Sequence, residues 1–325
     1  MTDMDKVKKN VFRERRDMEG TPIRGYDFNK DFSVDEFLAS YMTTGFQATH
    51  LAQGIDIIKK MREEKATIFL GFTSNIVSSG LREILAYLAK NKLVHAIVTT
   101  GGGIEEDIIK AKKPFILGSF EADDLKLEKE CINRIGNILV PSDRYMEFET
   151  FLNKVLEGLY RKQESSGEII SGVSFIRAMA SELEDENSFL YWAYKNEIPV
   201  YAHALLDGSI GDITYFFKKN NPGFKIDMTD DTVSLVDQAL GSDKTGVIAL
   251  GGGPAKHSII NSNLFRGGAD YAVYVSTATE GDGSLSGAKP SEAVTWGKIK
   301  RDVTTANIEA DVTIVFPLLV LGGFR

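Results

Sequence analysis

Cysteine is nearly absent from this chain of 325 residues, and its scarcity narrows the chemistry open to the protein. The single Cys131 excludes an internal disulfide bond and any zinc site built from several cysteines. One isolated thiol is typical of proteins from reducing compartments. We therefore predict neither a disulfide framework nor a metal centre.

Long apolar runs are also missing. The longest, VTIVFPLLVLGGF at 312–324, contains Pro317 and is shorter than the roughly 20 residues that span a bilayer. Residues 1–20 are charged throughout and lack the apolar centre of a secretory signal peptide. We expect a soluble, cytoplasmic protein without a membrane partner.

Basic residues are in the minority, since 38 lysines and arginines face 46 aspartates and glutamates for a net charge of −8. This balance argues against nucleic acid as the main partner and permits a cationic ligand. The chain is also poor in tryptophan, with two residues, and in histidine, with four. The histidines are His50, His95, His203 and His257.

What the chain does contain is a regular alternation of short apolar runs with amphipathic segments. Runs rich in β-branched residues predict buried strands at 66–72, 94–100, 198–204, 245–250 and 269–275. Helical periodicity follows the first two strands, at 75–91 and 104–111. This pattern predicts the α/β class, with a doubly wound, mainly parallel sheet and helices on both faces.

The domain organisation that we predict is a basic, helical N-terminal arm at 1–25 followed by one domain at 26–325. Segment 121–195 has mostly helical periodicity. Its acidic run ELEDEN, at 182–187, is typical of a solvated junction between helices, and 161–168 is the best candidate for an internal loop.

Two triple-glycine turns follow predicted strands, in TTGGGIEED (99–107) and ALGGGPAKH (249–257). Neither matches the dinucleotide fingerprint, because Glu106 and Lys256 stand where its third glycine would be. One such turn is equally well explained as a tight turn that needs positive φ. Two in one sheet favour a nucleotide, because glycines let the backbone approach phosphate at helix N-termini.

Acidic residues also follow predicted strands, where ligands of open α/β sheets bind. Glu105, Glu106 and Asp107 open a predicted helix, where the helix dipole alone explains one or two of them. Alternatively, they hold ribose hydroxyls or an ammonium group. In DGSIGD, Asp207 and Asp212 indicate either a simple turn or a negative potential suited to a polyamine.

The segment EAVTWGKIK (292–300) places Lys298 two residues after Trp296. A neutral lysine amine is a nucleophile, and an apolar environment favours the neutral form. The simpler interpretation is a lysine whose stem lies along the ring. His257 has two readings as well, a structural histidine or a base that titrates near neutrality.

These motifs together resemble the deoxyhypusine synthase family. The resemblance rests on EAVTWGKIK, DGSLSGAKPS, GADYAVYVSTA, ALGGGPAKHSI, DGSIGD, TTGGGIEEDIIK and TSNIVSSGLRE, with GYDFN and TTGFQATHL nearer the N-terminus. It runs from about residue 20 to the C-terminus in the family's order. The implied fold is a Rossmann-like NAD-binding domain in a homotetramer whose active sites lie between paired subunits.

The implied activity is NAD-dependent transfer of the 4-aminobutyl group of spermidine to one lysine of the translation initiation factor 5A precursor. Lys298 would carry the butylimine, and His257 would act as the base. The residues implied for spermidine binding are Glu105, Glu106, Asp212, His257, Gly283, Glu292, Trp296 and Lys298. Those implied for NAD binding are Ser74, Asn75, Ile76, Val77, Ser78, Thr100, Gly101, Gly102, Glu106, Asp207, Gly252, Thr277, Ala278, Asp311 and Val312.

One position departs from the family pattern. Leu285 stands in DGSLSG, where eukaryotic members carry an acid that binds the polyamine, and Glu280 and Asp282 are the acids nearest to it in sequence. Two other functions therefore remain open: a homospermidine synthase that uses putrescine as the acceptor, and a catalytically silent NAD- or polyamine-binding scaffold. A pyridoxal-phosphate enzyme using Lys298 is a weaker alternative, since no partner for the cofactor ring is identifiable.

Overall fold

The computed structural model describes residues 3–12 and 18–325. Its strands, in chain order, are β1 (Thr67–Phe72), β2 (Ala96–Val98), β3 (Ile116–Leu117), β4 (Ile132–Ile135), β5 (Ile138–Pro141), β6 (Ile170–Ser171), β7 (Val200–Tyr201), β8 (Ile226–Asp227), β9 (Thr245–Leu250), β10 (Tyr271–Ser276) and β11 (Thr305–Glu309).

Helices connect most of these strands. In chain order they are α1 (Asp3–Val11), α2 (Val34–Thr44), α3 (Phe46–Glu63), α4 (Ser74–Ser78), α5 (Arg82–Lys90), α6 (Gly101–Lys112), α7 (Asp124–Lys129), α8 (Asp143–Ser166), α9 (Gly172–Ala180), α10 (Phe189–Lys195), α11 (Ser209–Asn220), α12 (Thr229–Leu240), α13 (Gly253–Ser262), α14 (Pro290–Thr295) and α15 (Val312–Gly323). Two short 3₁₀ helices cover Asn263–Arg266 and Glu280–Asp282.

The central sheet has six strands in the order β11-β10-β9-β1-β2-β7, and all neighbouring strands are parallel. The chain adds β2 and β7 on one side of β1, then returns to add β9, β10 and β11 on the other. The winding direction therefore reverses between β1 and β9, whose ends are level because Phe72 pairs with Leu250. In open α/β sheets, this reversal opens a crevice at the carboxyl ends of the strands.

Both faces of the sheet are covered, as the apolar strand pattern predicts. Ile68 and Leu70 of β1 belong to the larger apolar cluster, which includes residues of α3 and α15. Phe69 points to the other face and packs in a second cluster with residues of α12 and α13. A strand buried on both sides has no polar face, which explains its continuous apolar sequence.

All five predicted strands lie in the central sheet, and each is found within its predicted range or one residue past it. The sixth strand, β11, was missed because only its Ala306 and Ile308 are buried, so it lacks a continuous apolar run. The predicted helix at 75–91 is wrong as one element. It divides into α4 and α5 because Ser79 is extended, and the resulting turn directs Arg82 inward to Asp107.

Segment 121–195 is mostly helical, but it also holds β4 and β5, which form a small antiparallel sheet with β3. The internal loop predicted at 161–168 is wrong, since α8 continues to Ser166 and ends at Gly167 in the left-handed conformation. The polar run is the exposed end of an amphipathic helix, and such a face resembles a loop in composition. The junction predicted at 182–187 does separate α9 from α10.

The segment predicted as an N-terminal arm, residues 1–25, contains α1, which is exposed along its whole length. Its basic residues Lys6, Lys8 and Lys9 lie on this helix. Arg13, Arg15 and Arg16 lie outside the described residues. Along the described chain, no helix combines the length and apolar character needed to cross a bilayer.

Candidate active site

The first glycine turn is set by close packing. Helix α6 begins at Gly101 itself, and positive φ is absent from Gly101 through Gly103, so the expectation of a positive-φ turn is wrong here. A Cβ at Gly101 would lie 2.4 Å from the carbonyl oxygen of Leu205, and one at Gly103 would lie 2.2 Å from Thr99 Oγ1. Glycine is required because the segments that follow β2 and β7 touch at this point.

The second glycine turn needs glycine for two reasons, positive φ and close packing. Gly251 and Gly253 have φ of 83° and 63°, in the left-handed region that favours glycine. Gly252 packs so tightly that a Cβ would lie 2.3 Å from Ser286 Oγ. Helix α13 begins at Gly253, with Pro254 in its first turn. The turn therefore joins the end of β9 to the segment around Ser286.

All the residues predicted to bind the cofactor follow the carboxyl ends of the six central strands. Ser74, Asn75, Ile76, Val77 and Ser78 form α4 after β1. After β2, Thr100, Gly101 and Gly102 open α6, and Glu106 lies one turn further along it. Asp207 follows β7, Gly252 follows β9, Thr277 and Ala278 follow β10, and Asp311 and Val312 open α15 after β11. The fold thus places these residues along one edge of the sheet.

Glu105 is buried and does not lie in a first helical turn, because α6 begins four residues before it. Its carboxylate accepts a hydrogen bond from the Ile210 backbone N–H at 2.9 Å, at the N-terminus of α11. Burial raises the pKa of Glu105, although backbone N–H groups of Ile210 and Ser209 act in the opposite direction. Glu105 therefore caps a neighbouring helix and fixes the start of α11.

Glu106 and Asp107 are buried as well. Glu106 accepts a hydrogen bond from the Ser78 hydroxyl of α4, and burial raises its pKa to about 7. Asp107 lies 2.5 Å from Arg82 Nε and accepts a hydrogen bond from the Ser188 hydroxyl at 2.5 Å. The interpretation of Glu105, Glu106 and Asp107 as partners of the α6 dipole is wrong, because side chains and backbone groups of other elements bind them.

Lys298 lies in a pocket of about 310 Å³ between α13, α14 and the segment before α14. The pocket is lined by Lys256, His257, Ile260, Tyr274, Gly283, Leu285, Ala288, Lys289, Glu292, Ala293, Trp296 and Lys298. Five of the residues predicted to bind the amine are therefore together: His257, Gly283, Glu292, Trp296 and Lys298.

Lys298 and His257 are in direct contact, with 3.2 Å between Lys298 Nζ and His257 Nε2. Partial burial lowers the pKa of His257, and the nearby charge of Lys298 acts in the same direction. Lys298 Nζ is 5.7 Å from the centre of the Trp296 ring, although the Trp296 side chain is 66% exposed. The ring therefore forms an open wall of the pocket.

The other histidines contact different partners. His95 Nδ1 accepts a hydrogen bond from the Ile68 backbone N–H at 3.0 Å, which fixes this histidine to the central sheet. His203 Nδ1 lies 3.1 Å from the Ser258 hydroxyl and lines a second pocket, of about 350 Å³, that shares His257 with the first. His50 Nδ1 lies 3.3 Å from Gln47. Of these contacts, the one between His257 and Lys298 joins an imidazole nitrogen to a lysine amine.

The predicted amine-binding residues form two sets. Glu105, Glu106 and Asp212 lie on α6 and α11, after β2 and β7, whereas the Lys298 pocket lies beyond β9 and β10. Asp212 is exposed and lines a separate pocket of about 490 Å³ with residues of β4, α8 and α11. The side chains that line the Lys298 pocket do not include Glu105, Glu106 or Asp212.

Leu285 lines the Lys298 pocket, and it is the position where the resemblance to eukaryotic members implied an acid. The two nearby acids are engaged elsewhere, since Glu280 forms an ion pair with Lys289 at 3.1 Å and Asp282 accepts a hydrogen bond from the Ser284 N–H at 2.8 Å. Among the described residues that line the pocket, Glu292 is the carboxylate.

Lys256, which precedes His257 and is 2% exposed, was not predicted as a site residue. Its Nζ lies 4.4 Å from the centre of the Tyr274 ring, and burial lowers its pKa to about 8. A lysine in the first turn of a helix gives no sequence signal of burial, because most lysines are exposed. Only the packing of α13 against β10 and the 285–288 segment shows where this lysine points.

Known proteins match almost the whole chain. The family model for deoxyhypusine synthase matches residues 36–322. A probable deoxyhypusine synthase from Pyrococcus furiosus is 48% identical over 330 residues, which cover 98% of each chain. One from Methanocaldococcus jannaschii is 49% identical over 325 residues, covering 95% of this chain and 98% of the relative.

Solved structures agree with this match. A protein from Entamoeba histolytica, assigned as a deoxyhypusine synthase, is 31% identical and superposes with a TM-score of 0.68 over 93% of this chain and 96% of its own. The complex of AgrE with ornithine and NAD+ has a TM-score of 0.52 at 13% identity, over 85% of this chain and 32% of that one. The second similarity shows a shared fold only.

Proposed function

This chain belongs to the deoxyhypusine synthase family of transferases, and on that premise we propose that it transfers the 4-aminobutyl group of spermidine to a lysine of the translation initiation factor 5A precursor. The observation that carries the proposal is the contact of 3.2 Å between Lys298 Nζ and His257 Nε2 inside a pocket. A nucleophile within hydrogen-bond reach of a base is the arrangement that covalent catalysis needs.

The two residues have different tasks in this reaction. Because its pKa is lowered, His257 is mostly neutral near pH 7, and Nε2 has a lone pair that takes a proton from an amine. Lys298 attacks the imine carbon of the oxidised substrate as a neutral amine, and the small diamine leaves as the new C–N bond forms. The lysine of the acceptor protein then displaces Lys298 from the resulting imine.

We propose NAD as the cofactor and the strand ends of the central sheet as its site. Backbone N–H groups at the N-termini of α6 and α13 suit phosphates, and hydroxyls of Ser74, Thr100 and Thr277 follow three of the strands. The reversal between β1 and β9, typical of Rossmann-like sheets, supports the same site. NAD would accept a hydride from the carbon beside a spermidine nitrogen and return it to the final imine.

The spermidine site needs an apolar wall for the methylenes and carboxylates for the ammonium groups. In the Lys298 pocket, Leu285 and Trp296 are apolar, Glu292 is acidic, and the Trp296 face attracts cations. The other acids predicted to bind the amine, which include Asp212, lie outside this pocket. We therefore propose that a homo-oligomer, a tetramer in the family, joins the acidic set of one subunit to the Lys298 pocket of its neighbour.

The acceptor decides between this function and homospermidine synthesis. Purified enzyme receives spermidine and NAD with either the factor precursor or putrescine, and the rates of the two products are compared. We expect modification of the factor to dominate. Dominant homospermidine with an unmodified factor would assign the chain to the small-molecule branch, and absence of both products would support a silent scaffold.

Leu285 gives a companion prediction on the donor. Because Leu285 lines the pocket, Leu285→Asp adds a carboxylate beside the polyamine and should lower the KM for spermidine, with little change in NAD affinity. The variant is compared with Leu285→Asn, which has the same shape without the charge. Equal effects of the aspartate on both ligands would mean that this side chain does not contact the polyamine.

A further inference from the structure

Lys110 extends from α6 to the end of α4. Its Nζ donates hydrogen bonds to the carbonyl oxygens of Val77 and Ser79, both at 2.8 Å, and of Ser78 at 3.3 Å. The last carbonyls of a helix lack partners inside the helix, so an ammonium group satisfies them well. Glu106, one turn earlier on α6, binds the Ser78 hydroxyl. Helix α6 therefore holds α4 at two points.

Lys256 makes the corresponding contact from α13. Its buried Nζ donates hydrogen bonds to the carbonyl oxygens of Leu285 at 2.8 Å and Ala288 at 2.7 Å. The Tyr274 ring of β10 lies below the ammonium group. The 285–288 segment contains no helix or strand, so these bonds hold a wall of the Lys298 pocket that has no secondary structure of its own.

The two lysines share a setting. Each lies on a helix that begins at a triple-glycine turn, and each reaches sideways to a neighbouring segment at the same edge of the sheet. Helix α4 has only five residues and depends on outside contacts for its stability. Burying an ammonium group against uncharged carbonyls costs desolvation free energy. A role in placing those carbonyls explains why a lysine is found there despite this cost.

We propose that Lys110 and Lys256 are positioning residues with separate tasks: Lys110 fixes α4 for the cofactor, and Lys256 fixes the 285–288 segment for the amine. This inference rests on the proposed function, because it assigns NAD to α4 and spermidine to the Lys298 pocket. Neither lysine is required to touch the reacting atoms.

The test exchanges the two lysines for methionine, which keeps the apolar stem and removes the donor. In Lys110→Met, the Kd for NAD should rise about tenfold while the KM for spermidine changes less than about twofold. In Lys256→Met, the KM for spermidine should rise about tenfold while the Kd for NAD changes less than about twofold. Each variant is thus the control for the other.

Lys218→Met is a third, remote control. Lys218 also donates to a backbone carbonyl, that of Phe224, but it lies at the far end of α11 from the strand ends. Its loss should lower the Tm and leave both ligand constants unchanged. If a methionine variant does not fold, the glutamine variant at the same position keeps a weak donor and should show a smaller effect in the same direction.

Amide hydrogen exchange without ligands separates this inference from the proposed function. Exchange should accelerate in 74–81 only in Lys110→Met and in 283–290 only in Lys256→Met. The positioning roles would be overturned by unchanged exchange in these segments. They would also be overturned if both variants showed equal increases in the Kd for NAD and the KM for spermidine. If the parent enzyme binds no NAD, the proposed function fails, and the exchange pattern still decides whether the lysines hold these segments.

Discussion

At the scale of single residues, Lys298 carries the proposed chemistry. Its Nζ contacts His257 Nε2 in a pocket where Trp296 leaves one side open. An open wall lets an extended amine, and later an acceptor lysine, reach the nucleophile. In the proposed reaction, this opening would give both substrates access to Lys298 in turn.

Lys298→Arg tests the covalent role. Arginine keeps the positive charge but stays protonated at any ordinary pH, so it cannot attack as a neutral amine. We expect transfer to the factor precursor to fall by about a thousandfold or more, with an unchanged Tm. Borohydride trapping with labelled spermidine should mark Lys298 in the parent enzyme and nothing at this position in the variant. A fully active arginine variant would rule out the imine at Lys298.

Glu106 gives a residue-scale prediction about pH. Burial raises its pKa from 4.5 to about 7, so the folded state binds this proton more tightly than the unfolded state. Its ionisation therefore removes stability as pH rises from about 4.5 to about 7, by up to about 3 kcal/mol. Glu106→Gln keeps an acceptor for the Ser78 hydroxyl and cannot ionise.

Urea unfolding at fixed protein concentration checks this expectation. Between pH 5 and pH 8, the free energy of unfolding should fall less in Glu106→Gln than in the parent. Asp282→Asn is a suitable control, since Asp282 is exposed and its pKa is lowered by its hydrogen bonds to Ser284. Parallel pH profiles for the parent and Glu106→Gln would contradict a Glu106 pKa that is raised by burial.

At the scale of elements, the glycine turns decide how helices meet the strand ends. Gly252 joins the end of β9 to the 285–288 segment, where Ser286 Oγ also accepts a hydrogen bond from the Gly253 N–H at 3.3 Å. The Ser286 Cα would lie 2.6 Å from an added Cβ, so rotation of the Ser286 side chain alone cannot make room. The turn tolerates no side chain without movement of a pocket wall.

Gly252→Ala should therefore destabilise the protein by about 1–3 kcal/mol and raise the KM for spermidine. Gly158→Ala is the matched control, because Gly158 lies inside α8 with open space around the added methyl group. That change should stabilise the protein by about 0.5–1 kcal/mol without altering kinetics. Thermal unfolding and steady-state rates measure both. An alanine at 252 with parental stability would contradict the close approach.

At the scale of the whole molecule, one chain keeps apart two sets of the residues predicted to bind the amine. Asp212 and Lys298 lie in different pockets, and the apolar side chains Phe265 and Trp296 are exposed beside the pockets that share His257. Exposed aromatic groups next to an incomplete site are typical of surfaces that meet another subunit. A site completed by a neighbouring copy would join the two sets.

Complementation tests this assembly. Lys298→Arg and Asp212→Asn should each be inactive as pure proteins, and oligomers that contain both should regain part of the parental activity. The recovery follows because one site of a mixed pair would combine the intact Lys298 of one subunit with the intact Asp212 of the other. Light scattering should show an oligomer. An active monomer, or a mixture with no recovery, would mean that each chain forms its own site.

Much of the fold follows from local sequence. Buried parallel strands are continuous apolar runs, so β1, β2, β7, β9 and β10 were all predicted, and the class of the sheet followed from their alternation with helices. The site segments were recognisable for a similar reason, since glycine turns and EAVTWGKIK carry their chemistry within a few residues. Such features depend on neighbours along the chain.

The tertiary structure decided the features that depend on distant partners. Glu105 caps α11, Lys110 holds α4, and Lys256 holds the 285–288 segment, through contacts between residues 29 to 105 positions apart. The same holds for the separation of Asp212 from the pocket that contains Glu292 and Lys298. A carboxylate or ammonium group has the same sequence signature whether it meets water, a helix end or a ligand, because burial and partners are fixed only when the elements pack.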